Sequence, residues 1–457
     1  MAKKLVNKPV VTTMTEQHKV FINAGENVRQ ITLEDFRKAL NIDDMEVLND
    51  LAFYLDVNEP STLGSTRVDR GGNMHMEALW VNQGVSVIMD ANGNYCELNR
   101  NDSNYVVEGE KVTNSDGTVA SAYAHGDFMK ILPETYGRVQ LIEVNNTVKP
   151  RLWLSLLPLP GGFVIPRQVV GKNKCSLVNG KLRSLPGMTV EGNHTIKAFW
   201  DYAQARSLNH GLANGDYYNF LAFYVMAHYG YRDVQNCQSS DGTLVFGCGL
   251  DGSENTSGSS EDGFTRQKTI KTGTTMTLGD GDGKVAVTDH AGGTCHSVCI
   301  DGFDNPFAQY WEMMQGYCSI GTKVMCWRHN WMPSGSQPVE ADFNNVEHVE
   351  LTRSTRPSNT APLPTGMNII SSQEGQGVYM IPKEPVTGVS YGDGWWYDAS
   401  GQLWLFGGYS NYGALCGVAC AASDVVWASS LAYRSARLAY YGPVRKVTAA
   451  EFKALAA

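Results

Sequence analysis

Pairs of asparagine or aspartate with glycine punctuate this chain at residues 92–93, 116–117, 179–180, 241–242 and 393–394. Such pairs supply the positive-φ residues of tight hairpin turns, so they predict many short strands and few long helices. The 47 glycines, 10 tryptophans and 21 tyrosines point the same way. Polar and apolar residues alternate in Gly84–Asp90 and in Arg138–Val144, the period of a half-buried strand. The expected fold class is therefore α+β and β-rich.

Helical spacing is confined to a few places. Ile196, Phe199, Trp200 and Ala203 fall at i, i+3, i+4 and i+7, and Tyr217, Phe220, Leu221 and Tyr224 repeat that spacing after Asn214. Each set predicts a helix with one apolar face laid on a sheet. Two shorter helices are expected near the ends, where Thr32 stands before Asp35 and Phe36–Leu40, and Thr448 before Glu451 and Phe452–Leu455. In both, the threonine and the acid three residues on form a capping box.

These signals divide the 457 residues into four parts. Residues 1–47 are expected to be an attachment or oligomerisation segment, and 48–150 a small β-rich module. Residues 151–445 are expected to form a larger ligand-binding domain, with an exposed Gly-, Ser- and Asp-rich insertion at about 247–283. A short C-terminal helix occupies 446–457.

Charge and motifs narrow the function. With 37 Lys+Arg against 46 Asp+Glu and no basic block, a nucleic-acid partner is not expected. No apolar run approaches the ~20 residues that cross a bilayer, and the first residues lack the apolar core of an export signal, so membrane insertion is not expected. The 10 cysteines form no Cys-x-x-Cys pair, which sets aside a zinc ribbon or dithiol site and predicts small buried thiols. Cys295 and Cys299, with His290 and His296, are too loosely spaced for structural zinc. Asp280-Gly281-Asp282-Gly283 and Asp251–Glu254 lack the calcium-loop pattern and read as turns. No cofactor, metal or catalytic residue is assigned. A carboxylate pair for glycan cleavage, brought together only by folding, is the enzymatic alternative.

Three landmarks follow one another in the C-terminal half. The first is Ile300-Asp301-Gly302-Phe303-Asp304-Asn305-Pro306-Phe307 with Trp311 and Gly316. The second is Trp395-Trp396-Tyr397-Asp398 with Trp404-Leu405-Phe406-Gly407-Gly408, where the glycine pair allows positive φ or close backbone approach. The third is Ser435-Ala436-Arg437-Leu438-Ala439-Tyr440, whose arginine among apolar neighbours predicts an internal ion pair.

This order resembles the C-type-lectin-like fold of the formylglycine-generating-enzyme type. It is still more similar to the variable proteins of diversity-generating retroelements, found in phage tail tips and in phages of gut Bacteroidales. The match runs roughly over residues 161–442 and is closest over 407–441. The resemblance implies a phage tail receptor-binding protein, an adhesin located in the virion tail and made in the bacterial cytoplasm. It also implies a homotrimer, other tail proteins as partners, and a host-surface protein or glycan as ligand. The opening strand Lys19–Ile22 before Thr32 is similar to tail-fibre docking segments. The oxidase activity of the formylglycine-generating enzymes is not carried over, because Cys416 and Cys420 lie away from Arg437 in sequence.

In the variable proteins the stretch between the Gly-Gly and the terminal Arg-Leu is rewritten at adenines. Here that stretch fits neither a helical nor a strand period. It mixes Tyr, Cys, Ala, Ser, Asp and Val over Gly413, Gly417 and Trp427, all types reachable from an asparagine codon by changes at its adenines. Tyrosine among small residues is the composition of evolved binding loops. The expected outward-facing contacts are Tyr409, Tyr412, Cys416, Ala419, Cys420, Ser423, Asp424, Val425, Tyr433 and Ser435.

Overall fold

Asn179 and Gly180 take φ of 50° and 72° in the turn between strands Ser176–Val178 and Lys181–Arg183. That is the two-residue hairpin the sequence pair predicts. The computed structural model describes residues 19–24, 27–32, 44–56, 68–99, 105–144, 147–250, 270–288, 292–352, 367–371, 378–382, 393–397, 400–410, 412 and 415–456. The chain is β-rich with few helices. Those described are Asp44–Leu51, Met74–Val81, Ile196–Gln204, Gly215–Tyr229 and Ala449–Ala454.

Three larger sheets organise the chain. A five-stranded sheet runs in the order Phe163–Ile165, Thr135–Val144, Thr147–Ser155, Phe53–Leu55, Arg70–Gly72. A seven-stranded sheet runs in the order His210–Leu212, Leu438–Tyr440, Gln168–Gly171, Asp127–Leu132, Val85–Met89, Asn94–Glu97, Arg445–Lys446. A second seven-stranded sheet runs from Val349–Thr352 through Lys323–Cys326, Trp311–Ile320, Leu403–Gly407 and Gly417–Val425 to Trp395–Tyr397, and Arg434–Ser435 pairs with Trp311–Ile320.

This topology corrects the expected division at residue 150. That position falls inside the strand Thr147–Ser155, and strands from both sides of it share the first two sheets. Residues 48–150 are therefore not a separate module, because their ladders are completed by Phe163–Ile165, Gln168–Gly171 and Arg445–Lys446. The exposed insertion also shrinks. Thr272, Thr275 and Asp280 are buried, with Thr272 Oγ1 donating to Leu185 O at 2.6 Å and Thr275 Oγ1 to Asp304 at 2.8 Å. Residues 251–269 lie outside the described residues.

The helices form where the spacing places them. Ile196–Gln204 starts at Thr195, whose side chain accepts from Ala198 N, and buries Ile196, Phe199 and Ala203. Gly215–Tyr229 is capped by Asn214 and stopped by Gly230 at φ 73°. It does not present one apolar face as expected, because every residue from Gly215 to Ala227 is buried. The helix passes through the core, and a helix apolar on all sides belongs there. The C-terminal helix has its capping box, Thr448 with Glu451, and docks through Phe452 onto Tyr123 and His125. At the other end Lys19–Ala24 pairs with Asn27–Thr32 as a hairpin. The Thr32-capped helix lies outside the described residues.

The first and third landmarks meet at one buried ion triad, and Phe406 of the second pairs with Glu312 in the backbone ladder. Glu312 binds Arg437, with Arg437 Nη2 at 2.8 Å from Oε1, and also binds Lys174 Nζ. Arg437 spends its other donors on Gly171 O, Lys172 O and Asp304 O at 3.1, 2.7 and 3.1 Å. Burial alone would raise the Glu312 carboxyl, but Arg437 and Lys174 reverse this and hold it low. Burial pushes Lys174 down to about 8 although the same carboxylate favours its charge. Both directions fit one carboxylate shared by two cations, with arginine holding the better geometry. Beside the triad, Asp280 binds Lys172, and Lys130 Nζ lies 2.5 Å from Asp301 Oδ1. Asp280 lies in a turn, as expected, and is also a buried countercharge.

Candidate functional site

The strand Gly417–Val425 is where the structure departs furthest from the sequence reading. It is not an outward loop but an inner strand, antiparallel to Leu403–Gly407 on one side and parallel to Trp395–Tyr397 on the other. Both of its faces are covered. Val418, Ala419 and Ala421 pack with the core around the helix Gly215–Tyr229, while Cys420, Ala422 and Val425 pack with Trp311, Trp396 and Trp427. Of the ten expected contacts, Tyr409, Cys416, Ala419, Cys420, Ser423, Val425 and Ser435 are buried. The outward-facing reading of those seven is corrected: the small residues within the strand serve close packing on its two faces, and Tyr409 buries its ring under Tyr412 and Tyr433. None of the 10 cysteines is joined in a disulfide, and only Cys248 is not buried.

A bulge inside this strand holds a second surprise. Phe406 pairs with Ala421 but Gly407 pairs with Gly417, so residues 418–420 stand out of the ladder. The loop they make wraps the Asp393 carboxylate, which accepts from Ala419 N at 2.7 Å and from the Cys420 backbone. Gly417 is required there, since a Cβ would lie 2.1 Å from Asp393 Oδ1. Burial, and then Asp233, raises the Asp393 carboxyl well above its usual range, and burial lifts Asp233 to about 6. A carboxyl raised in the folded state contributes stability that is full below the unfolded value of about 4 and lost as pH rises through the folded value. Asp393→Asn is therefore expected to flatten the loss of stability between about pH 5 and 8 and to leave the variant more stable than wild type at pH 8, by about 1 kcal/mol or more. Urea midpoints at the two pH values check this, and parallel curves for both proteins would refute it.

Three expected contacts remain half-buried at the surface: Tyr412, Asp424 and Tyr433. They top an aromatic cluster. The Tyr433 ring stacks on buried Tyr409 at 4.5 Å and 16°, and Tyr412 meets Tyr409 edge-on at 4.7 Å. Tyr412 also lies 4.3 Å from Trp396 and 5.8 Å from Trp311. Tyr412 N donates to Tyr409 O at 3.0 Å, which fixes the turn carrying both rings. Burial pushes the Tyr412 phenol upward, so at neutral pH it is an uncharged hydroxyl.

Arg434 belongs to this face and was missed, although it stands between two chosen residues. It is 7% exposed, it donates to Ser429 Oγ, and its Nε is buried with no acceptor. Its guanidinium lies 5.7 Å from the centre of the Tyr433 ring. The face thus combines rigid rings, phenol hydroxyls, a carboxylate and a guanidinium. These groups can stack against a ring or chain of a ligand and hydrogen-bond its edge. Among the described residues, no three His, Cys, Asp or Glu side chains gather closely enough to hold a metal ion. No described helix is long and apolar enough to cross a membrane. No protein-family model matches the chain, and no curated protein matches it.

Proposed function

We propose that this chain is a receptor-binding adhesin of a phage tail tip, built on a C-type-lectin-like scaffold, and that it binds a host-surface protein or glycan without turning it over. The observation that carries this reading is the half-exposed Tyr412 and Tyr433 pair, seated on buried Tyr409 and Trp396. Rigid aromatic side chains with polar tips give broad contact at small entropic cost. The meeting of the first and third landmarks at the Glu312–Arg437 pair supports the scaffold. Any variable surface is then confined to Tyr412, Asp424, Tyr433 and exposed neighbours, because rewriting the seven buried positions would disturb the core. Assembly as a trimer on the tail, docked through residues 1–47, would raise avidity by ~10²–10⁴.

The test incubates purified full-length protein with host cells and with isolated capsule. Adhesion is read as protein retained on washed cells, with no oligosaccharide in the supernatant. Released oligosaccharide would overturn the reading in favour of a glycan-cleaving tailspike.

A further inference from the structure

Strands Gln168–Gly171 and Leu438–Tyr440 of one seven-stranded sheet, and residues 328–330 that follow the strand Lys323–Cys326 of the other, line a groove of about 400 Å³. That volume lies within the ~300–1,000 Å³ range of small-ligand sites. None of the lining residues belongs to the aromatic face.

Charge in the lining has one sign. It contains Arg167 and Arg328 but no aspartate or glutamate. Arg328 is neutralised by Asp216, with Nε at 2.8 Å from Oδ2 and Nη2 at 2.9 Å from Oδ1. Burial lowers the His329 imidazole, so it is uncharged at neutral pH. Two other carboxylates act on the lining from outside it, Asp90 on Tyr440 and Glu347 on His329. Asp90 is committed to its own turn, where it accepts from Asn92 N, Asn94 N and Asn94 Nδ2 at 2.8 Å each. Arg167 is thus left as a cation without a countercharge, and a concave surface of one sign draws ligands of the other.

A neutral donor stands beside that cation. Among the described residues the Arg167 guanidinium is bonded only at Nη2, which donates to Gly442 O at 2.9 Å and fixes the fork at the rim. Gly442 in turn lies against Asn209, since a Cβ on it would come 2.7 Å from both Cγ and Nδ2 of that carboxamide. The guanidinium and the carboxamide therefore flank one glycine, and Asn209 Nδ2 makes only a long bond of 3.5 Å to the Tyr440 hydroxyl. A guanidinium fork matches the paired oxygens of a carboxylate or phosphate, and charge-assisted bonds are the strong ones. A second anionic group on the ligand would find no free cation in the lining. We propose that this groove is a second binding site, separate from the aromatic face, for an organic monoanion whose carboxylate or phosphodiester is held by Arg167 and Asn209.

Saturation-transfer NMR on the full-length protein tests it with matched probes. Methyl glucuronide is set against methyl glucoside for the carboxylate, and glycerophosphoglycerol against diglycerol for the phosphodiester. At least one anion should bind more tightly than its neutral mate, and the pair that does so identifies the source of the charge. Arg167→Gln should weaken that anion about tenfold, the scale of a charged hydrogen bond, and Asn209→Ala about threefold, the scale of a neutral one. Both residues are exposed, so neither variant opens a cavity in the core. Tyr412→Ala should leave anion binding unchanged, which separates this site from the adhesin reading. Equal binding of anion and neutral mate in both pairs, or an anion preference undiminished in either groove variant, would overturn the proposal.

Discussion

Glu312→Gln is expected to lower the stability of the chain by about 3–5 kcal/mol, because it strands two buried cations without a countercharge. Arg437 and Lys174 both depend on this one carboxylate, and all three side chains are sealed from solvent. Replacing the whole triad, as Glu312→Leu with Lys174→Met and Arg437→Met, should recover part of the loss. It should not recover all of it, since Gly171 O, Lys172 O and Asp304 O would lose the donors that Arg437 supplies. The measurement is the urea midpoint, or the inactivation rate at fixed temperature where unfolding is irreversible. A Glu312→Gln protein within about 1 kcal/mol of wild type would show that the charges are not truly desolvated.

The acid limb of stability belongs to the same interior. Burial would raise Asp280, but Lys172 and Lys130 hold it down to about 2, and Glu312 is likewise held low. Carboxyls depressed in the folded state contribute stability present above the unfolded value of about 4 and lost as pH falls through the folded one. Asp393 and Asp233 act with the opposite sign above that range. The carboxyls therefore set a stability maximum between the two limbs, and Asp393→Asn moves only the alkaline one.

Local signals in the sequence were legible where one residue type has one physical use. The Asn179–Gly180 turn, the Thr448 cap, the Ile196 stripe and the internal pairing of Arg437 all follow from backbone or charge demands that tolerate few alternatives. Gly407 and Gly408 likewise take φ of 86° and 75°. The strand Gly417–Val425 was not legible, because two-sided burial erases the alternation that marks a strand and the bulge at 418–420 breaks what remains. Small residues then look the same whether they shape a binding loop or pack between a helix and aromatic rings. The division at 150 failed for a different reason. Period-two patterning reports that a strand exists, not which distant strand completes its ladder, and here the partners come from residues 163–171 and 445–446.

Tyr409, Tyr412 and Tyr433 separate scaffold from binding surface within one cluster. Tyr409→Ala is expected to cost about 3 kcal/mol or more of stability, as loss of a buried ring does, because Tyr409 is 3% exposed and carries both other rings. Tyr412→Ala and Tyr433→Ala should each cost about 1 kcal/mol, the scale of an aromatic contact at a half-exposed site. Binding should rank them the other way. Each surface variant should reduce adsorption to host cells about tenfold, and the pair about a hundredfold, since central aromatic anchors dominate interface energies. The Tyr409→Ala protein that remains folded should adsorb through its two surviving surface rings, less well only as far as they lose their support. Adsorption is compared at equal folded concentration, fixed from the urea curves, so that loss of fold is not read as loss of contact. A folded Tyr412→Ala, Tyr433→Ala protein that adsorbs like wild type would remove the aromatic face from the attachment mechanism.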